Sequence, residues 1–243
     1  MNICCTFDSK FSPYVCNLYR SVKEFNPKAK FYFIVTSDVN HVETQDVTWV
    51  VNDPEFIGCC FQSLANTRGM WNSLYIADCL KDVEKVIYID VDSIVLCDLT
   101  WLWNVQVSSH GLAGVRDLRH PMAANMALKH SNKLRFNLDM DFKTFNNSVL
   151  VMDLEIMRKL CADEYTRSLV RKHAVTDMMA QNMYAMGDWT EVGREWCISG
   201  NYTNEKVFDG LEWKIVTWHG CKPWNEGTRN SDIWRKYGTD KQI

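Results

Sequence analysis

What the chain is short of narrows its chemistry first. Its 243 residues hold only 11 glycines and 5 prolines, and no two glycines stand one residue apart. The G-x-G-x-x-G dinucleotide fingerprint is therefore absent, and so are the Walker phosphate loop and the H-E-x-x-H zinc motif. Any phosphate-binding function must rely on a metal or on isolated basic side chains. Basic charge is not in excess: 27 Lys and Arg stand against 30 Asp and Glu, for a net charge of −3. That balance argues against a nucleic-acid partner, whose phosphates call for a basic face. No run approaches the ~18 continuous apolar residues of a membrane span, so no transmembrane segment is expected. Asp8 and Lys10 interrupt the region where a secretory signal keeps its apolar core. The ten cysteines include no C-x-x-C, and Cys4-Cys5 and Cys59-Cys60 are adjacent pairs. Reduced, buried thiols are the expectation, and with them a cytoplasmic location. With no repeat, no low-complexity tract and no linker, residues 1–243 are expected to form a single domain.

What is present describes a globular α/β chain. Hydrophobic residues make up 47% and charged residues 23%, a composition that excludes intrinsic disorder. Short apolar runs at 2–7, 31–36, 47–51 and 86–89 read as buried strands. Val15, Leu18, Tyr19, Val22 and Phe25 recur at helical spacing over 12–25, and 62–80 also reads as helical. Such alternation implies a mostly parallel central sheet with helices on both faces. Ligands of such sheets bind beyond the carboxyl ends of the strands. Further along, strands are expected at 112–115, 148–152 and 215–218. Helices are expected from an Asp153 cap to about Leu160, over 177–186, and from about Asn230.

Two local patterns carry chemistry. In VIYIDVDSIVL, residues 86–96, an apolar strand delivers Asp90 and Asp92 to its carboxyl end. Alternate residues of an extended chain share a face, so both carboxylates can address one site. Hard oxygen ligands of this kind suit Mg²⁺ or Mn²⁺; the plainer alternative is one capping aspartate and one solvated aspartate. A second D-x-D, Asp139-Met140-Asp141, lacks a preceding apolar strand and reads as loop acid. The other pattern is VTWHGCKPWN, residues 216–225. His219 there can complete a metal shell left open by two carboxylates, and Lys222 can neutralise a phosphate as a point charge. A packed loop with His219 bonded to backbone is the alternative. Trp218 and Trp224 flank these residues as wall, lid or packing; Trp213 reads as packing.

Taken in order, the segments CCTFDSKFSPYV, NTRGMWNSLYIADCLKDVEKVIYIDVDSIV, LAGVRD, FNNSVLVMDL, TDMMAQNMY and HGCKPW resemble glycosyltransferase family 8. The resemblance implies a GT-A nucleotide-diphospho-sugar transferase fold. It implies a metal-dependent transferase moving a sugar from a UDP-sugar to a hydroxyl acceptor on a glycan, protein or small molecule, with retention of configuration. Residue by residue it implies Thr6, Asp8 and Phe11 near the uracil and Arg68 facing the nucleotide or sugar. Asp90 and Asp92 would hold Mn²⁺ (or Mg²⁺) with His219 as third protein ligand, and Asp90 would also touch the nucleotide. Lys222 would bind the β-phosphate, and Asp117, Asn146 and Asp177 would contact the donor sugar. The chain departs from the pattern at Met178, where the family has Gln, and at Ser148, where it has Gly. The spacing from His219 to Lys222 is also shorter than in the family.

Two rivals use the same residues differently. A haloacid-dehalogenase-type phosphatase also places D-x-D after an apolar strand, its first Asp being the nucleophile; it leaves HGCKPW without a role. A non-catalytic sugar-binding relic of a transferase is the other, with Met178 as its supporting feature.

Overall fold

The computed structural model describes residues 1–41, 44–55, 68–124, 141–201 and 210–238. Among the described residues ten strands run in order: β1 Asn2–Phe7, β2 Lys30–Val35, β3 Val47–Val51, β4 Lys85–Ile89, β5 Ser93–Val95, β6 Leu112–Arg116, β7 Phe145–Asp153, β8 Thr190–Val192, β9 Ile198–Ser199 and β10 Ile215–Thr217. The described helices are α1 Val15–Phe25, α2 Arg68–Trp71, α3 Ile76–Cys79, α4 Thr100–Trp103, α5 Leu154–Lys159, α6 Ala162–His173, α7 Asp177–Ala185 and α8 Ser231–Arg235. None of them is long and apolar enough to cross a membrane.

Seven strands form the main sheet in the order β3-β2-β1-β4-β7-β6-β8. The first four are mutually parallel, β7 runs antiparallel between β4 and β6, and β8 is parallel to β6. The sheet is therefore mostly parallel, as the apolar runs imply, with one reversed strand. Alternation divides its side chains between two cores. Ile3, Cys5, Phe7, Ile87 and Ile89 pack on one face with Val15, Leu18 and Val22 of α1. Cys4, Val86 and Tyr88 pack on the other face with Ile76, Leu154 and Met157. Burying both faces is what lets the strands read as continuous apolar runs.

A second sheet, β5-β10-β9, stands beyond the carboxyl edge of β4. Its existence is not visible in the sequence: β5 is part of the run that contains Asp92, and β9 has two residues. Helix α6 was equally hidden, because its buried residues are Ala162, Asp163, Thr166, Leu169 and Val170, only two of them strongly apolar. The expected helix over 62–80 is three short pieces where it is described: α2, a 3₁₀ turn at Asn72–Leu74, and α3; residues 62–67 lie outside the described set. The Asp153 cap is made as read, its Oδ1 accepting from the Ile156 N–H at 2.9 Å. The eight described cysteines are all unbonded thiols.

Asp163, in the first turn of α6, gives a pH test of this packing. Its carboxylate accepts from the Asp78 N–H at 2.9 Å, yet burial pushes its pKa up to about 7. A carboxyl whose folded pKa exceeds its unfolded value of ~3.9 binds more protons folded than unfolded in between. Stability therefore falls as pH rises from about 4 to about 7, and is level above. Asp163→Asn is expected to flatten part of that slope, measured as urea midpoints at pH 5 and pH 8; an unchanged slope contradicts the assignment.

Candidate active site

The topology brings one group of side chains to one edge. The parallel strands β1 and β4 end at Phe7 and Ile89, placing Asp8 and Asp90 there. Strand β7 runs the other way, so its start, at Asn146, reaches the same edge, and β6 ends there just before Asp117. A bulge sharpens the placement. Gly114 pairs with Leu150 but the next residue, Val115, pairs with Asn146. The intervening Asn147, Ser148 and Val149 are surplus to the pairing with β6, although Val149 still pairs with Ile89 of β4, and this irregularity re-aims the side chains there.

Asp90 and Asp92 form the acidic centre. The Asp90 N–H donates to the Ser148 carbonyl at 2.9 Å. Its Oδ1 accepts from the Tyr88 hydroxyl at 2.8 Å. Because that proton is committed, the Thr6 hydroxyl, 3.1 Å from the Tyr88 oxygen, donates to it. Burial, and next the charge of Asp92, push the Asp90 carboxyl well above its ordinary range. Asp92 is buried, and Lys222 Nζ makes a hydrogen-bonded ion pair with its Oδ2. Burial pulls the Lys222 ammonium down, but the attraction of Asp92 outweighs it and leaves the pKa raised.

His219 follows β10. The Asn146 Oδ1 accepts from the Ser148 N–H at 2.9 Å, which turns its Nδ2 toward His219 Nε2 at 3.0 Å. That Nε2 is therefore an acceptor, with the Ser148 hydroxyl also at 3.0 Å. Burial lowers the His219 pKa to about 4, so the ring is neutral at pH 7. Asp117 lies alongside, its Oδ1 accepting from the Arg119 N–H at 2.9 Å and its Oδ2 lying 3.2 Å from His120 Nδ1. Asp177 opens α7, whose cap is the Thr176 hydroxyl accepting from the Met179 N–H at 3.2 Å. Its Oδ2 accepts from Asn147 Nδ2 at 2.9 Å and from the Ser73 hydroxyl at 3.3 Å, tying α7 to the bulge. Burial raises the Asp177 pKa.

At the β1 end, Asp8 accepts from the Lys10 N–H at 3.1 Å and the Gly69 N–H at 3.3 Å. A Cβ on Gly69 would lie 2.3 Å from the Asp8 nitrogen, so only glycine lets α2 approach β1 this closely. Phe11 lies 6.0 Å from Lys222 Nζ and meets Trp224 edge-on at 5.8 Å, while Tyr14 stacks flat on Trp224 at 3.8 Å. The turn that carries Lys222 is thus pinned to the turn after β1. Arg68 is exposed at the start of α2, where its charge reaches Asp53. Met178 is half-buried against the cluster of Trp71, Leu74 and Val175, so this position is apolar packing.

The donor set fits a hard divalent cation. Two carboxylates share one end of the site, and burial, followed by the charge of Asp92, raises the Asp90 pKa. The nearby imidazole is neutral, the form that ligates metals. Among the described residues, however, no three His, Cys, Asp or Glu side chains form a ready cage. The Nε2 of His219 rests on Asn146 and Ser148, and Lys222 sits on Asp92. Asp90 and Asp92 are the ready oxygen donors, and His219 joins them only when Asn146 and Ser148 release its Nε2.

Sequence reasoning missed Tyr88, Asn147 and Ser73 as partners of this edge, and marked Ser148 only as a departure from the family's Gly. Tyr88 could have been found: it lies two residues before Asp90 and so on the same side of the strand. Ser73 joins Asp177 across 104 residues of chain, and nothing local marks it.

A model of the family described as Glycosyl transferase family 8 matches residues 63–228. General stress protein A of Bacillus subtilis (strain 168) is 26% identical over 184 residues, spanning 72% of this chain and 59% of that protein. The galactosyltransferase LgtC, solved in complex with donor and acceptor sugar analogs, superposes with a TM-score of 0.80 at 16% identity, covering 98% of this chain and 95% of that one. The glycosyltransferase GlyE of Streptococcus pneumoniae TIGR4 gives 0.71 at 18% identity, over 99% and 60%. The structural matches carry the GT-A fold that the sequence resemblance implies.

Proposed function

The chain belongs to glycosyl transferase family 8, and from that premise we propose that it moves a sugar from a UDP-sugar to a hydroxyl acceptor. The proposal takes residues 1–243 as one transferase unit, with retention of configuration and a divalent cation, Mn²⁺ or Mg²⁺, at Asp90 and Asp92. The observation that carries it is the placement of Asp90, Asp92 and Lys222 at the same sheet edge as Asp117, Asn146, Asp177 and His219. A cation held there supplies Lewis-acid stabilisation of the departing diphosphate.

The chain's own residues have separable tasks. Asp8 and Phe11 take the base at the end of β1, with Thr6 beside them supporting Asp90 through Tyr88; Arg68 stands at the rim of that end. Lys222 exchanges its bond to Asp92 for one to the donor's β-phosphate. Asp117, Asn146 and Asp177 take hydroxyls of the transferred sugar. His219, neutral, offers Nε2 as a ligand once Asn146 turns to the sugar. None of these carboxylates is a ready nucleophile: both Asp117 oxygens are engaged, and Asp177 is buried and held by Asn147 and Ser73. Front-face displacement follows. The acceptor oxygen bonds to the anomeric carbon as the bond to phosphate oxygen breaks, and the acceptor's proton passes to the leaving diphosphate.

Calorimetry with UDP, GDP, ADP and CDP in Mn²⁺ tests the donor reading. UDP is expected to bind at least tenfold more tightly than the others; equal affinity for all four removes the base-reading role of the β1 end. Lys222→Ala is expected to weaken UDP binding by about 1.5–3 kcal/mol, the range for a charge-assisted hydrogen bond. The same variant should reduce the tryptophan fluorescence change on adding UDP with Mn²⁺, because Trp224 rides on the same turn. Parental affinity in that variant places Lys222 away from the phosphate.

A further inference from the structure

A cleft of about 120 Å³ opens beside His219 and Asn146, with Asp117, Arg119, Arg194, Cys197 and Ser199 among its lining. At ~30 Å³ per water it has room for a charged substituent and the edge of a sugar ring. Asp90, Asp92 and Lys222 do not line it. The donor's diphosphate is therefore dealt with elsewhere, and the cleft continues from the residues assigned to the transferred sugar toward whatever receives it.

Its charge is unusual for a site that handles neutral sugars. Three guanidiniums line it, from Arg116, Arg119 and Arg194, against one carboxylate, Asp117. Arg116 is directed at Glu191, 3.8 Å away, and at the Pro121 carbonyl, 3.3 Å away. Both Asp117 oxygens are engaged with the Arg119 N–H and His120. Arg119 and Arg194 are exposed at the rim, and no ion pair or hydrogen bond from the Arg194 side chain is made among the described residues.

A second observation lies deeper in the cleft. Ser199 is 7% exposed and its hydroxyl has no hydrogen-bond partner among the described residues. It pairs in register with Thr217, which pairs with Ser93, and these two hydroxyls are also buried and without a partner among the described residues. In-register neighbours share a face, so the three form one row across the small sheet that ends at the cleft. A buried hydroxyl left unbonded costs free energy, and a ligand oxygen would recover it once the Ser199 side chain rotates its covered oxygen into the cleft.

We propose that the acceptor carries an anionic group, phosphate or carboxylate, clamped by Arg119 and Arg194 over the Ser199 hydroxyl. Guanidinium recognises both groups bidentately. The inference rests on the transferase reading above and adds the class of acceptor.

Titration calorimetry in saturating UDP and Mn²⁺ tests it, with glucose 6-phosphate, glucuronic acid and methyl α-glucoside as probes and inorganic phosphate as a control. At least one charged sugar is expected to bind tenfold or more tightly than methyl glucoside, and which one is tighter tells phosphate from carboxylate. Arg194→Gln and Arg119→Gln should each lower that affinity about tenfold and leave methyl glucoside unchanged. Equal binding of charged and neutral sugars, binding of no charged sugar, or unaltered affinity in both variants overturns the inference. So does inorganic phosphate binding as tightly as glucose 6-phosphate, which marks an ion site. UDP binding, recorded first in the same cell, separates the two levels. If UDP binds and the charged sugars fail, only this inference falls; if UDP itself fails, the transferase reading falls and takes the inference with it.

Discussion

Asp92→Asn is expected to lower sugar transfer by on the order of 10²–10³-fold, the loss seen when one preorganised electrostatic group is removed from a reacting centre, with the fold intact. Asp92 is buried and Asn keeps its shape, so no cavity opens. The Lys222 side chain is 32% exposed, so on losing its partner the ammonium turns to water rather than remaining a buried lone charge. The site loses one of its two carboxylates and so most of its hold on a divalent cation. Turnover measured beside a thermal melt separates the effects. Parental turnover, or a melt lowered by more than a few degrees, contradicts the placement of Asp92.

Trp218→Ala should act in the opposite way, through stability. Trp218 is fully buried in the cluster with Ile94, Val216 and Trp234. Its indole N–H donates to the Arg229 carbonyl at 2.9 Å, and its ring meets Trp234 edge-on at 5.9 Å. Gly200 lies so close that a Cβ there would fall 2.4 Å from the indole nitrogen, so the ring is tightly packed against that backbone. Truncation of a large buried aromatic costs about 3–5 kcal/mol. The same indole anchors the residue before His219, so substrate affinity should fall with stability. Urea denaturation reads the loss; a change under ~1 kcal/mol means the ring is not the anchor described.

The main sheet was legible because buried parallel strands are written as unbroken apolar runs, and β1, β2, β3 and β4 each stand within about one residue of the run that announces them. Its reversal at β7 was not legible. FNNSVLVMD reads as a strand in either direction, and only its pairing with β4 and β6 decides. The small sheet escaped because Ile198–Ser199 and Ser93–Val95 are too short for a period to show. The candidate site divides along the same line. Asp90 and Asp92 are two residues apart, and His219 and Lys222 three, so each pair is visible as local spacing. Their neighbours Tyr88, Ser148, Asn147 and Ser73 act through hydrogen bonds whose partners are fixed by topology. Thr6, expected near the uracil, turns its hydroxyl inward, donating to Tyr88 and through it supporting Asp90.

The most direct test of the account is product analysis with a panel of nucleotide sugars and a generic phosphate ester, each in Mn²⁺ and in EDTA. The account predicts release of UDP from one or more UDP-sugars, dependent on the metal and abolished in Asp92→Asn, with no phosphate released from the ester. Phosphate release from the ester without UDP release would contradict it and favour the phosphatase reading of the same two aspartates. Release of neither, with UDP still bound, would mark a sugar-binding relic rather than an enzyme.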